Sequence, residues 1–204
     1  MRPPRMRVAL FGRSLAGFTL ANAMERAGHE VQMLSDPAEL ASFEALIIAV
    51  GDARLEATVE LLEPHVHRGL IVFHTCLSRG VQVLDPLETR GCVVAALAPF
   101  ALMRWAVTTL DELGETVVEL NITEFRGEAV ALSDAERPSF AARAYYAEML
   151  RRLHISAAVD ARFFPTAEEK PMVGEDMDTE EIIAAYRGAT DPGLRRSYVE
   201  VARR

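Results

Sequence analysis

The chain has 204 residues, half of them hydrophobic and a quarter charged, with a net charge of −8. That is enough apolar residue for one full core with an appendage, and too little basic charge for a nucleic-acid footprint. The charge is uneven: residues 168–181 hold seven acids against Lys170, the only lysine beside 21 arginines. Cys76 and Cys92 have neither the spacing of metal ligands nor the number of a disulfide scaffold, so reduced thiols and no metal are expected. The basic first seven residues lead straight into an apolar strand pattern with no cleavage site, which points to a cytoplasmic protein without a membrane segment.

In chain order, residues 8–11 (V-A-L-F) form an unbroken apolar run, as expected of a strand buried on both faces of a parallel sheet. Gly12 breaks it. Residues 15–27 carry Leu15, Phe18, Met24 and alanines at helical spacing, and Gly28 supplies the left-handed residue that ends many helices. A second strand is predicted over 31–34. The turn between strand and helix, G-R-S-L-A-G, matches the dinucleotide fingerprint G-x-G-x-x-G at its first and third glycines and carries Ser14 at the second. The serine narrows the approach of a pyrophosphate to backbone, yet its hydroxyl can donate to a phosphate oxygen, and amide groups at the helix N-terminus still favour an anion. Ser35 and Asp36 compete for the ribose position after the second strand. An acid there repels a 2′-phosphate and favours NAD, Arg13 keeps NADP open, and Asp36 also suits the simple start of a turn into Pro37.

A short helix over 38–43 precedes a fully apolar strand over 45–50, at whose end Val50, Gly51 and Asp52 fall. Asp52 reads as the N-cap of a helix carrying Leu55, Val59 and Leu62, closed by Pro64. The strand over 70–73 delivers His74, Thr75 and Cys76 to the sheet edge where open α/β folds bind ligands. A helix over 81–89 returns the chain to a strand over 92–97. Beyond Pro99 the pattern loosens: a strand is predicted over 105–110, a helix over 111–125 with Leu113, Val117 and Leu120 on its apolar face, and a strand over 128–132. Ser133 with Glu136 has the spacing of a capping box, with Pro138 as an alternative first helical residue of a helix reaching about residue 154. The acidic, proline-bearing stretch 160–178 reads as a linker or a loosely docked strap. Two short helices follow, capped by Asp178 and Asp191; their residues Ile182, Ile183, Leu194, Tyr198 and Val201 cannot all be covered by each other, which predicts a homodimer.

The order of these elements, with G-R-S-L-A-G, A-L-I-I-A-V-G-D, F-H-T-C and the helix-strand-helix of 111–154, resembles the 6-phosphogluconate-dehydrogenase-like superfamily over about residues 7–155. That superfamily includes β-hydroxyacid dehydrogenases, pyrroline-carboxylate reductases and prephenate dehydrogenases; the likeness is strongest to small Rossmann-like members. It implies an α/β fold with a doubly wound, mainly parallel sheet over 1–133 and a helical extension over 134–204 suited to dimerisation. It further implies a nicotinamide dinucleotide, NAD or NADP, and a small-molecule substrate. The cofactor contacts would be Gly12, Arg13, Ser14, Leu15, Ala16 and Gly17 at the pyrophosphate, Ser35 and Asp36 at the ribose, Val50 and Gly51 on the adenosine side, and His74 and Thr75 toward the nicotinamide. Catalytic motifs depart from the pattern. Ala98 and Pro99 stand where relatives often have His-Pro, and the long helix carries no lysine. His74 is then the acid/base candidate, because imidazole titrates near neutrality.

Overall fold

The computed structural model describes residues 5–152 and 179–203. Its strands are β1 (Arg7–Gly12), β2 (Glu30–Met33), β3 (Ala45–Ala49), β4 (Ile71–His74), β5 (Val93–Ala101), β6 (Arg104–Thr109) and β7 (Glu128–Ala131). Its helices are α1 (Leu15–Ala27), α2 (Leu55–Leu62), α3 (Asp85–Thr89), α4 (Glu112–Phe125), α5 (Arg137–Arg152), α6 (Thr179–Gly188) and α7 (Pro192–Ala202). The sheet order is β2-β1-β3-β4-β5-β6-β7, parallel throughout except for the antiparallel pair β5-β6. The expected α/β class, doubly wound and mainly parallel, is the observed one. Because β2 lies on one side of β1 and β3 on the other, the order reverses beside β1, which is where the crevice of such a sheet opens.

Two helical layers cover the sheet. On one face Val8, Leu10, Ile47 and Phe73 pack under α1 and α4 through Leu20, Met24, Val118, Ile122 and Phe125. On the other, Ala9, Leu46, Ile48 and Val72 pack under the 3₁₀ turn Pro37–Ser42, α2 and α3. A third cluster joins Ala98, Phe100 and Ala106 of the β5-β6 pair to Phe140, Tyr145, Ala185 and Tyr198 of the C-terminal helices. Ile182, Leu194 and Val201 also pack there, so the chain itself covers most of the faces that suggested a second copy; Ile183 stays exposed. The Asp178 cap lies outside the described residues, whereas Asp191 caps α7 as expected, accepting from Leu194 N at 2.6 Å.

Several local readings are corrected. The short helix over 38–43 is the 3₁₀ turn Pro37–Ser42. Helix α4 buries Val118, Ile122 and Phe125 and leaves Leu113 and Leu120 at 56% and 61% exposure, so of the stripe chosen from the sequence only Val117 packs against the core. Strand β5 runs through Pro99 to Ala101 and turns back into β6 through Leu102 and Met103, the latter in the left-handed region at φ 57°. Helix α5 starts at Arg137, and Glu136 accepts from both the amide and the hydroxyl of Ser133 (2.8 and 2.7 Å), so half of the capping box forms and Pro138 is the second helical residue.

The first crossover depends on small residues. A Cβ on Gly17 would lie 2.1 Å from the Cβ of Ala49, so α1 meets β3 closer than any side chain permits. Gly17→Ala should therefore destabilise the fold by about 1–3 kcal/mol. The second change Ala49→Gly should restore part of that loss, as measured by urea unfolding of both variants; no recovery would mean that the clash lies elsewhere.

Candidate functional site

The carboxyl ends of β1, β3 and β4 meet around the glycine-rich turn. Gly12 has φ +102°, and a Cβ there would stand 2.1 Å from the carbonyl oxygen of Ala49, so both steric space and backbone conformation require glycine. Ser14 N donates to that same carbonyl at 2.9 Å, which ties the turn to β3. Ser14 Oγ accepts from Gly17 N at 3.1 Å and caps α1, while Phe18 N donates to Ser14 O at 3.0 Å. The amides of Leu15 and Ala16 are then those that the first turn cannot satisfy from within. With its acceptor role taken by Gly17, the Ser14 hydroxyl has its own hydrogen to donate, and Thr75 Oγ1 lies 3.5 Å away. Arg13 and Leu15 are exposed beside this edge.

Other expected contacts are arranged around it unequally. Val50 is buried and Gly51 half-buried directly after β3. Gly51, not Asp52, is the cap of the 3₁₀ turn Asp52–Arg54, and it makes no side-chain cap bond. The Asp52 carboxylate instead accepts from the Ser78 hydroxyl, because the 3₁₀ start places it inside the turn. Ser35 and Asp36 are exposed beyond β2, and Asp36 Oδ1 accepts from Ala38 N at 2.9 Å, capping the turn into Pro37 and leaving its second oxygen for other partners.

His74 does not face the turn. Strand alternation places Phe73 in the core under α1 and α4 and Val72 in the opposite one, so His74 shares the side of Val72. Its ring is completely buried, and Nε2 donates to Gly80 O at 3.0 Å. Burial first, and the nearby Arg137 charge second, push its pKa down to about 3 against the opposing bond to Gly80. A group held neutral and shut from solvent is a poor proton shuttle, which removes the physical basis of the acid/base expectation. Thr75, its neighbour, is the residue that reaches Ser14.

Arg137 is the residue that the sequence did not single out. Its guanidinium is completely buried, donating from Nη1 to Thr108 Oγ1 (3.0 Å) and Ala106 O (3.5 Å) and from Nη2 to Cys76 O (3.0 Å). Desolvation lowers its pKa to about 10, which leaves it charged at neutral pH. The only signal available was its place one residue after the Ser133–Glu136 pair. Among the described residues no group of three or more His, Cys, Asp or Glu side chains could hold a metal ion, and no helix is long and apolar enough to cross a membrane.

The depressed pKa of His74 has a stability consequence. Between about pH 6.5 and 3 the unfolded chain takes up a proton at this site that the native chain does not, so stability is present above pH 6.5 and is lost as pH falls. At pH 5 the loss should be about 2 kcal/mol. Urea unfolding at pH 7.5 and 5 should show a smaller fall for His74→Gln than for the wild type; equal falls would place the proton elsewhere.

Residues 33–99 match a family model described as a Rossmann-like domain. No curated protein sequence matches the chain. Among solved structures, the UDP-D-ManNAc dehydrogenase of Pyrococcus horikoshii superimposes with a TM-score of 0.64 at 14% identity, covering 98% of this chain and 68% of that one. Prephenate dehydrogenase from A. aeolicus, solved with hydroxyphenyl propionate and NAD+, gives 0.57 at 11% identity, covering 100% and 85%. Plasmodium falciparum pyrroline carboxylate reductase, solved with NADP, gives 0.57 at 12% identity, covering 98% and 76%. The chain has the Rossmann-like fold that these dehydrogenases and this reductase share.

Proposed function

We propose that the chain binds a nicotinamide dinucleotide across the carboxyl ends of β1, β3 and β4 and acts as an oxidoreductase on a small molecule. The observation that carries this reading is the glycine-rich turn: Gly12 and Gly17 seat the start of α1 against Ala49 at the point where the strand order reverses. The residues fit a pyrophosphate. The Leu15 and Ala16 amides, the Ser14 hydroxyl and the positive end of a 13-residue helix offer neutral donors to an anion. Thr75 would approach from β4, and Val50 and Gly51 from β3. The free oxygen of Asp36 would take a ribose hydroxyl and repel a 2′-phosphate, which favours NAD, with Arg13 as the opposing influence. The cofactor would supply hydride transfer; the chain would bind and orient it.

A second reading is a dinucleotide-binding module without chemistry of its own, favoured by one observation: His74 is buried and neutral. The two readings share the cofactor site and differ in turnover. A screen of small hydroxy and oxo acids with NAD and NADH separates them.

Calorimetric titration with NAD, NADH, NADP and NADPH tests the shared part. The wild type should bind, Gly12→Val should abolish binding, and Ser14→Ala should weaken it by about tenfold through loss of one hydrogen bond to a charged group. Binding unaltered by Gly12→Val would remove the turn from the site.

A further inference from the structure

The turn that opens α5 grips the loop after β4 at both of its ends. At the start, Arg137 Nη2 donates to Cys76 O at 3.0 Å, while Nη1 fixes the same guanidinium to Thr108 Oγ1 of β6, also at 3.0 Å. At the far end, the two carboxylate oxygens of Asp134 accept from Val81 N and Gln82 N at 2.8 and 3.1 Å. Gly80 lies directly against that carboxylate, since a Cβ there would fall 2.0 Å from Asp134 Cγ. From beneath, His74 Nε2 donates to Gly80 O. The first residue of the loop, Thr75, faces Ser14.

Docking a helix does not need a buried charge. An apolar side chain of similar volume would seat α5 without the desolvation cost, and Arg137 is completely buried with no carboxylate in ion-pair contact among the described residues, the Asp134 and Asp52 charges favouring it only from beyond contact. What the guanidinium adds is a rigid fork that can hold acceptors from the loop after β4 and from β6 at once. We propose that Arg137, with Asp134, is a positioning residue: the pair sets the loop of residues 75–80 and thereby the placement of Thr75 against Ser14, so that the seating of the C-terminal helices governs the cleft. Its effect on ligand affinity rests on the dinucleotide reading of the turn.

The test uses the full chain, with Arg137→Lys, which keeps the charge and loses the fork, and Asp134→Asn, which keeps the size and loses one acceptor. Each is measured below its unfolding temperature for hydrogen exchange and for NADH affinity, alone and combined with Ser14→Ala. Exchange over residues 75–82 should quicken by about tenfold while α1 and β1 keep wild-type rates. NADH affinity should fall by about tenfold, and the combination with Ser14→Ala should lose less than the product of the single losses, because both changes act on one contact. Exchange that is unchanged or uniformly faster, affinity that is unchanged, or strictly multiplicative losses would each overturn the proposal. If Arg137→Lys fails to fold, Asp134→Asn decides by the same readouts. If the wild type binds neither NADH nor NADPH, the dinucleotide reading falls by itself, and selective exchange over residues 75–82 then decides whether the pair positions the loop.

Discussion

The distance of closest approach between the first turn and Ala49 governs the geometry of the crevice. Two glycines, five residues apart, press on the same alanine, one through its carbonyl oxygen and the other through its methyl group. The start of α1 is thereby held close to the end of β3, and the hydrogen bond from Ser14 N to Ala49 O fixes the backbone before any ligand arrives. A turn held in this way loses little further conformational freedom on binding, which is the physical content of preorganisation. Ala49 is as constrained as the glycines, although no motif marks it.

Polar groups are layered around that crevice. At its surface stand neutral donors, the Ser14 hydroxyl and the Leu15 and Ala16 amides, with Thr75 buried beside Ser14. One layer deeper lie the groups with unusual electrostatics, His74 held neutral and Arg137 held charged, with the Asp134 and Asp52 carboxylates acting on it from beyond ion-pair contact. The charge close to the ring is one of the causes that keep the imidazole unprotonated, and the unprotonated imidazole can hold the Gly80 carbonyl with Nε2. The ionisable groups near β4 thus shape the loop, and the neutral ones face outward.

Much of this was legible in the sequence, because hydrophobic period and glycine placement act locally. The apolar runs gave β1, β3 and β4 to within a residue or two, and Gly28 ended α1 with φ 103° as its position suggested. The failures have separate causes. Pro99 reads as a strand terminator, yet the β4 ladder has already ended at the His74–Ala96 pair, so the missing amide is costly on one side only. In α4 two apolar stripes of similar hydrophobicity compete, and only the sheet beneath decides that Val118, Ile122 and Phe125 are the buried one. For His74 the position along the strand was right and the face was wrong, since a period of two makes one residue the difference between crevice and core. Arg137 gave no signal beyond its place after the Ser133–Glu136 pair, because an arginine in a first helical turn is ordinarily solvated; only the convergence of the loop after β4 with β6 and α5 encloses it.

The β5-β6 hairpin also bears on the route by which the chain folds. Every other pairing in the sheet is parallel and must wait for a crossover to close, whereas Ala101 and Arg104 pair across a link of two residues. It is the pairing with the smallest loop-closure entropy and the shortest sequence separation. The C-terminal helices rest on this hairpin through Phe100 and Phe140, whose rings meet edge to face at 4.9 Å. Helices α5, α6 and α7 thus dock on the part of the sheet whose closure costs least, whereas the pairings around β1 each need a crossover.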